Sequence, residues 1–458
     1  VNDTELTYKL FLVLAKDFPV DELKLIDLTL RMFTEPAIVL DRGLLVAHLK
    51  DIAAGKEKLM EKISHDRKEL MSNPKFAAVL ERLGVTVPMK ISPTTGKETY
   101  AFAKTDEGLK ALQDHPEIKV QNLVSARLGV KSTLEEKRTQ RFIDIADRGA
   151  LPVPLRYYAA HTGRWGGDDK INMQNLPRGS QLKYALCAPP GFTFIDCDLS
   201  QIEVRVLAWL AQQEDILTAF ENGEDVYRIM ASTIYGKNTG EVTKEERFVG
   251  KQTVLGCGYG MGFTRFQAQL QSLGVALPTA ECQHIIETYR NSFPQIRSFW
   301  KDATTSLEAI MQRDHMPLGR GGVLQVEGAR GIRLPNGLYL RYPNLRNVIN
   351  QETKRDEYVY DVKRGKALKE NRIYGGKVVE NICQAVARIV IGEQLLRVSK
   401  DYKIVMTVHD AIGCVVPEEE AEQAMVNIEN AMKIRPVWAT ELPLDCEGGS
   451  GSSYGKCG

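Results

Sequence analysis

The sequence predicts an α+β fold, and three observations lead there. Short β-prone runs stand at 192–196, 403–409 and 412–416, amphipathic runs with helical spacing fill much of the rest, and the two kinds do not alternate as in a parallel βαβ sheet. At 458 residues the chain exceeds one ordinary hydrophobic core, so roughly two to four lobes are expected.

Residues 3–31 are expected to be helical, and 33–41 to form a short apolar strand. A long helix should follow, because Leu45, Leu49, Ile52, Leu59, Ile63 and Leu70 recur at spacings of three, four and seven. Lys56, Lys58, Lys62, Arg67 and Lys68 occupy its other faces and by themselves read as a solvated surface. The polar segment 91–105 suggests a hairpin or loop, and a basic stretch covers 127–141. The run 192–196 should be a strand leading to Asp198. Ser200 with Glu203 then matches a capping box for a helix that buries Ile202, Val206, Leu207, Trp209 and Leu210. A second box, Thr243 with Glu246, opens a helix over about 244–255, which Gly256, Gly258 and Gly260 end. The runs 403–409 and 412–416 form a hairpin with Asp410 at its tip. Pro417 then starts a helix carrying Ala421, Ala424, Met425, Ile428 and Met432, and the Gly/Ser-rich tail at 448–455 reads as low complexity.

Composition removes several classes. With 43% apolar and 26% charged residues, the chain is neither disordered, collagenous nor a disulfide scaffold. A net charge of +1 does not by itself indicate nucleic acid, so any DNA contact must come from local basic patches. The eight cysteines show no CxxC pair and no zinc spacing, which suits reduced, cytoplasmic thiols. No apolar run approaches the roughly 18 residues of a membrane span, and no signal peptide is visible. The first residue is Val rather than Met, from which a missing upstream segment is expected.

Two carboxylates stand at strand ends, Asp198 and Asp410, and one sheet could bring them together. Magnesium relies on one or two carboxylates plus substrate phosphates, so such a pair can suffice for a nucleotide-bound site. Asp196 shares the face of Asp198 only if the strand continues. Spacing alone leaves a turn or cap as the commoner role for these aspartates. On the helix over 244–255, Arg247, Lys251 and Leu255 recur every four residues and line one face. Two cations and an apolar side chain on one stripe match a triphosphate and a base, although a solvated basic face beside Glu245 and Glu246 is the plainer alternative. Gly250 costs roughly 1 kcal/mol relative to Ala inside a helix, which suggests close approach of backbone or ligand there. The glycine run GCGYGMG at 256–262 follows a helix rather than a strand, so it fails as a dinucleotide fingerprint and reads as a turn presenting Tyr259.

Taken in order, these segments resemble the DNA polymerases of family A, and especially its phage-type members. The resemblance lies in DLSQIEVR at 198–205, RFVGKQTVLGCGYG at 247–260 and VHDA at 408–411, with HTGRW from 161, NMQNLP from 172 and ENICQAVAR at 380–388. It implies a right-hand architecture: a thumb with the first palm segment over 31–155, palm over 156–212 and 385–458, and fingers over 213–384. It also implies template-directed addition of dNTPs to a primer 3′ end, with release of pyrophosphate. Asp198 and Asp410 would hold two Mg2+ ions, with Mn2+ as a substitute, and Arg247 and Lys251 would bind the triphosphate, Lys251 also donating a proton to the leaving group. Glu203 would exclude a ribose 2′ hydroxyl, and Tyr259 would sit at the fingers pivot. Arg164, Asn175, Gln384, Arg388 and His409 would contact primer-template DNA. A monomer is expected, and no processivity factor is identified.

Three positions depart from the family pattern. Leu255 stands where Phe or Tyr is usual, Ala411 replaces a Glu after the metal aspartate, and Tyr227, at a position the resemblance assigns to nucleotide contact, stands where many members have His. The start, VNDTELTY, resembles the last acidic motif of a 3′–5′ exonuclease domain, making 1–30 a remnant and Asp3 its ligand, so no proofreading is expected from this chain alone. Three rival readings are a single-subunit RNA polymerase, a catalytically silent DNA-binding relative and a nuclease. Glu203 speaks against the first, the retained Asp198, Asp410 and Lys251 against the second, and the truncated start against the third.

Overall fold

The chain folds into a mixture of helices and antiparallel sheets in a computed structural model that describes residues 2–92, 96–351, 354–365 and 367–457. It divides into two compact units, one comprising 38–151 and 176–187, the other 1–37, 152–175 and 188–458. The α+β expectation holds.

The smaller unit is mainly helical. Its core gathers Leu70, Phe76, Leu80, Leu123, Val124 and Val130. The expected long helix is broken: one helix, Arg42–Glu61, ends before a second, Arg67–Met71, begins. Asp66 causes the restart, since it caps the second helix in a capping box with Glu69. The hairpin near 91–105 forms from Met89–Ile91 and Glu98–Tyr100, and its tip at 93–95 lies outside the described residues. Arg127, from the basic stretch, is buried with its guanidinium 4.2 Å from the centre of the Phe76 ring. Desolvation lowers its pKa to about 10.

The larger unit holds a four-stranded antiparallel sheet made of β1 (Phe192–Leu199), β2 (Ile404–Val408), β3 (Ala411–Pro417) and β4 (Cys446–Gly451), in the order β2-β3-β1-β4. The same unit holds α1 (Ile202–Ala211), α2 (Val226–Tyr235), α3 (Lys244–Cys257), α4 (Gly375–Val398) and α5 (Ala421–Lys433). Of the tail read as low complexity, residues 448–451 belong to the edge strand β4. Glycine is required there, because a Cβ on Gly448 would lie 2.2 Å from Met425 Cε and one on Gly449 would lie 1.9 Å from the Cys457 carbonyl oxygen.

Smaller corrections follow from local chemistry. Residues 3–31 form two helices, Asn2–Ala15 and Val20–Thr34, divided at Pro19, which disfavours helix for the residue before it. Of 33–41 only Val39–Leu40 is strand. The Pro417 helix begins as a 3-10 turn, Glu418–Glu420, before α5. Among the described residues no helix is long and apolar enough to cross a membrane, and all eight cysteines are free thiols.

Candidate active site

Strand register answers where the two aspartates stand. Asp198 on β1 pairs with Ala411 on β3, so Asp410 sits one residue before the partner of Asp198. The Leu199 amide donates to the Asp410 carbonyl at 3.1 Å, tying the two strand ends together. Asp410 occupies a two-residue turn with His409 between the paired Val408 and Ala411. Burial pushes its carboxyl above the ordinary carboxylate range; Arg164 opposes the shift, Glu203 adds to it and His409 opposes it. Asp198 is exposed at the same end of the sheet.

The capping box expected at 200–203 does not form. Gln201, at φ 55°, is the residue that precedes α1, and its side chain makes no cap bond. Ser200 therefore stands one position too early, and the Glu203 carboxylate is left to other partners. Arg164 donates to Glu203 Oε1, and the Tyr259 hydroxyl donates to Glu203 Oε2 at 3.1 Å. The same Arg164 nitrogen lies 3.9 Å from Asp410 Oδ2, so one guanidinium bridges Glu203 and Asp410. Desolvation raises the Tyr259 phenol well above its usual pKa, and the Glu203 charge adds to the effect.

The box of Thr243 with Glu246 forms as expected and starts α3. The helix runs two residues past the predicted end, through Gly256 to Cys257, and buries Val249, Gly250, Thr253 and Val254. Lys251 and Leu255 face outward and Arg247 is half-exposed, so the predicted stripe exists. Gly250 serves helix packing rather than a ligand: a Cβ there would lie 2.3 Å from the Tyr227 carbonyl oxygen on α2. Tyr227 is buried beneath the stripe, with its ring centre 5.6 Å from the Arg247 guanidinium and 5.9 Å from Lys251 Nζ. Burial, opposed by Arg247, pushes its phenol up to about 12. A buried support for the two cations is what the structure shows for Tyr227, in place of an open nucleotide contact.

The remaining predicted residues divide. Asn175 is exposed at the end of the 3-10 turn Met173–Asn175, and His409 is exposed in the hairpin turn. Gln384 is half-buried on α4, 3.4 Å from Glu380 Oε1. Arg388 departs from the expectation of a DNA contact. Its side chain is 1% exposed and ion-paired at 2.5 Å with Glu22, under Tyr157, Tyr158 and Trp165. A guanidinium so enclosed is a structural tie.

Sequence reasoning missed two residues of the site. Asp225 caps α2 through the amides of Tyr227 and Arg228 while accepting from Arg247 Nε at 2.5 Å. An Asp directly before an amphipathic run was the available signal. Gln174 bonds the hairpin turn from 235 positions away, and nothing local marks it.

As a metal site the donor set is two carboxylates with hard oxygen atoms. Among the described residues no group of three or more His, Cys, Asp or Glu side chains could enclose an ion. Carboxylate oxygens of this kind are the ligands that magnesium takes together with water and substrate phosphates.

Comparison with known proteins places the chain in a family. A family described as DNA polymerase family A matches residues 45–324, more than half of the chain. The DNA polymerase of Bacillus phage SP02 is 30% identical over 334 residues, covering 64% of this chain and 51% of that protein. Thermostable DNA polymerase I of Thermus thermophilus is 26% identical over 310 residues, with 67% and 32% covered, and DNA polymerase I of Pseudomonas aeruginosa 24% over 387 residues, with 82% and 37% covered. The chain thus spans about half or less of the length of these relatives. Among solved structures, the POL domain of Pol1 from M. smegmatis, in complex with DNA primer-template and dNTP, shares the fold at a TM-score of 0.70 and 20% identity, over 99% of this chain and 73% of that one.

Proposed function

This chain belongs to DNA polymerase family A, and from that premise we propose that it extends a DNA primer on a template by nucleotidyl transfer from dNTPs. The observation that carries the reading is the β1–β3 register, which sets Asp198 beside the turn bearing Asp410. Arg164, Glu203 and Tyr259 join Asp410 in one bonded cluster.

In this reading Asp198 and Asp410 hold two magnesium ions. When bound, the ions supply charge stabilisation at the attacking 3′ hydroxyl and at the leaving pyrophosphate. Lys251 and Arg247 grip the triphosphate, the lysine as a point charge that can pass a proton to the leaving oxygen and the arginine as a planar fork. The Asp225–Arg247 pair sets the direction of that fork. Glu203, fixed by Arg164 and Tyr259, fills the space beside the sugar where a 2′ hydroxyl would sit. That steric filter is why the reading favours deoxynucleotides over ribonucleotides. Leu255 offers an apolar contact on the same stripe. Asn175, His409 and Gln384 are assigned to primer-template DNA near the terminus, where contacts to base-pair edges test geometry without reading sequence. Catalysis is then mainly positioning plus charge stabilisation.

For the lobes, we assign the smaller unit to the thumb, expected over 31–155, and the four-stranded sheet to the palm. The fingers assignment stays at 213–384. Proposed partners are primer-template DNA and dNTPs, and the proposed state is a monomer.

A primer-extension assay with dNTPs and NTPs in parallel, with and without magnesium, tests the whole reading. Metal-dependent extension with dNTPs is expected, and Asp198→Ala or Asp410→Ala should abolish it while leaving primer-template binding largely intact. Normal extension by either variant refutes the metal assignment.

A further inference from the structure

The turn that presents Asp410 is held in a conformation its own sequence disfavours. His409 stands at φ 54°, in the left-handed region, where two-residue hairpins usually place glycine. A β-carbon there crowds the backbone, so the turn depends on contacts that hold it: inside the hairpin the Thr407 hydroxyl donates to the Ala411 carbonyl at 2.8 Å, and further contacts come from outside it.

Gln174 supplies them. Its buried side chain donates from Nε2 to the Thr407 carbonyl at 2.8 Å and accepts at Oε1 from the His409 amide at 2.7 Å. Its own carbonyl lies 3.0 Å from His409 Nε2. The amide thus bonds the hairpin on both sides of Val408 and grips the residue that carries the strained φ. On the opposite flank the Leu199 amide holds the Asp410 carbonyl.

We propose that Gln174 is a positioning residue: by clamping His409 in the left-handed conformation, it aims the Asp410 carboxylate for cation binding. The proposal rests on the reading of Asp410 as a metal ligand. Gln174 also directly precedes Asn175, the exposed residue assigned to the primer-template. The turn that meets DNA and the turn that bears the carboxylate are therefore hydrogen-bonded into one unit, and a loose clamp disturbs alignment for the reaction more than nucleotide affinity.

The test uses the chain with Gln174→Met, which keeps the side-chain length and removes both hydrogen-bonding groups, and Gln174→Glu, which keeps the acceptor for the His409 amide and loses the donor to Thr407. Binding of Mn2+ alone is followed by electron paramagnetic resonance, and single-nucleotide incorporation gives kcat and KM. For Gln174→Met, Mn2+ binding should weaken about tenfold and kcat fall roughly 10- to 100-fold, the range for groups that orient metal ligands, with KM for dNTP nearly unchanged. Gln174→Glu should recover part of both losses. If Gln174→Met does not fold, Gln174→Asn replaces it, since its shorter amide cannot reach both partners, and the same losses are expected. Parental Mn2+ affinity and kcat in a folded Met or Asn variant overturn the proposal, as does a loss confined to KM. Asp410→Asn separates the two readings: if it leaves Mn2+ binding unchanged, the metal assignment of Asp410 itself fails, whereas weakened binding in Asp410→Asn beside normal binding in Gln174→Met removes only the clamp.

Discussion

Tyr259 donates its hydroxyl to Glu203 at 3.1 Å, joining the turn beyond α3 to the first turn of α1. Arg164 holds the other oxygen of the same carboxylate, so both oxygens of Glu203 are engaged. A carboxylate pinned on both oxygens is a rigid wall, which is what a steric filter against a 2′ hydroxyl requires.

Glu203→Ala should therefore lower discrimination against ribonucleotides, by roughly 10- to 200-fold if the pocket behaves like others that gain or lose a small filling group. Competitive incorporation of dNTP and NTP with the same base measures this. Unchanged discrimination would place the filter elsewhere. Tyr259→Phe removes one of the two ties and should produce a smaller change in the same direction.

Lys251→Ala should slow incorporation by about 10²- to 10⁴-fold, the usual span for a positioned proton donor. On the proposed reading Arg247→Ala should act more on KM for dNTP, because it removes the cation assigned to the triphosphate together with its ion pair to Asp225. Pre-steady-state incorporation across dNTP concentrations separates the two. Equal and purely KM-based effects would deny Lys251 a part in the chemical step.

Gly250→Ala should destabilise the chain by about 1–3 kcal/mol, because the new Cβ would meet the Tyr227 carbonyl oxygen at 2.3 Å and force α2 and α3 apart. The gain in helix propensity, about 1 kcal/mol, offsets only part of that. Chemical denaturation measures the change, and a variant more stable than the parent would contradict the packing.

Glu22→Ala should cost about 3–5 kcal/mol, since it leaves the Arg388 guanidinium buried without its carboxylate. Burial pushes the Glu22 carboxyl up, but Arg388, Tyr157 and Asn336 outweigh it and leave the folded pKa below the ordinary 4.5. The sign follows: the folded state holds this proton less tightly than the unfolded state, so the stabilisation is full above about 4.5 and is lost as pH falls through the lower folded value. Melting curves of the parent and Glu22→Gln should converge below pH 4.5. A gap that widens on acidification would reverse the assignment.

Much of the site was legible where chemistry repeats locally. The stripe of Arg247, Lys251 and Leu255 followed from helical period, and the cap of α3 from Thr243 and Glu246. The placing of Asp410 at a hairpin tip followed from two β-prone runs flanking it. Local reading failed where a better partner lay far away: Ser200 and Glu203 match a capping box, yet Glu203 bonds Arg164 and Tyr259. Arg388 fits a motif that suggests DNA, yet Glu22, Tyr157 and Trp165 enclose it. Gly448 and Gly449 look like a loose tail and instead permit the close packing of an edge strand.

The sequence by itself determined the class of fold, the helices with clear period and caps, and the family to which the chain belongs. Those depend on neighbours within a few positions, or on motifs whose order survives in the linear text. Only the tertiary structure decided the β1–β3 register that sets Asp198 beside the Asp410 turn, the Gln174 clamp, and the bridging of Glu203 and Asp410 by Arg164. These are pairings between distant segments, and a polar side chain has many possible partners until packing removes all but one.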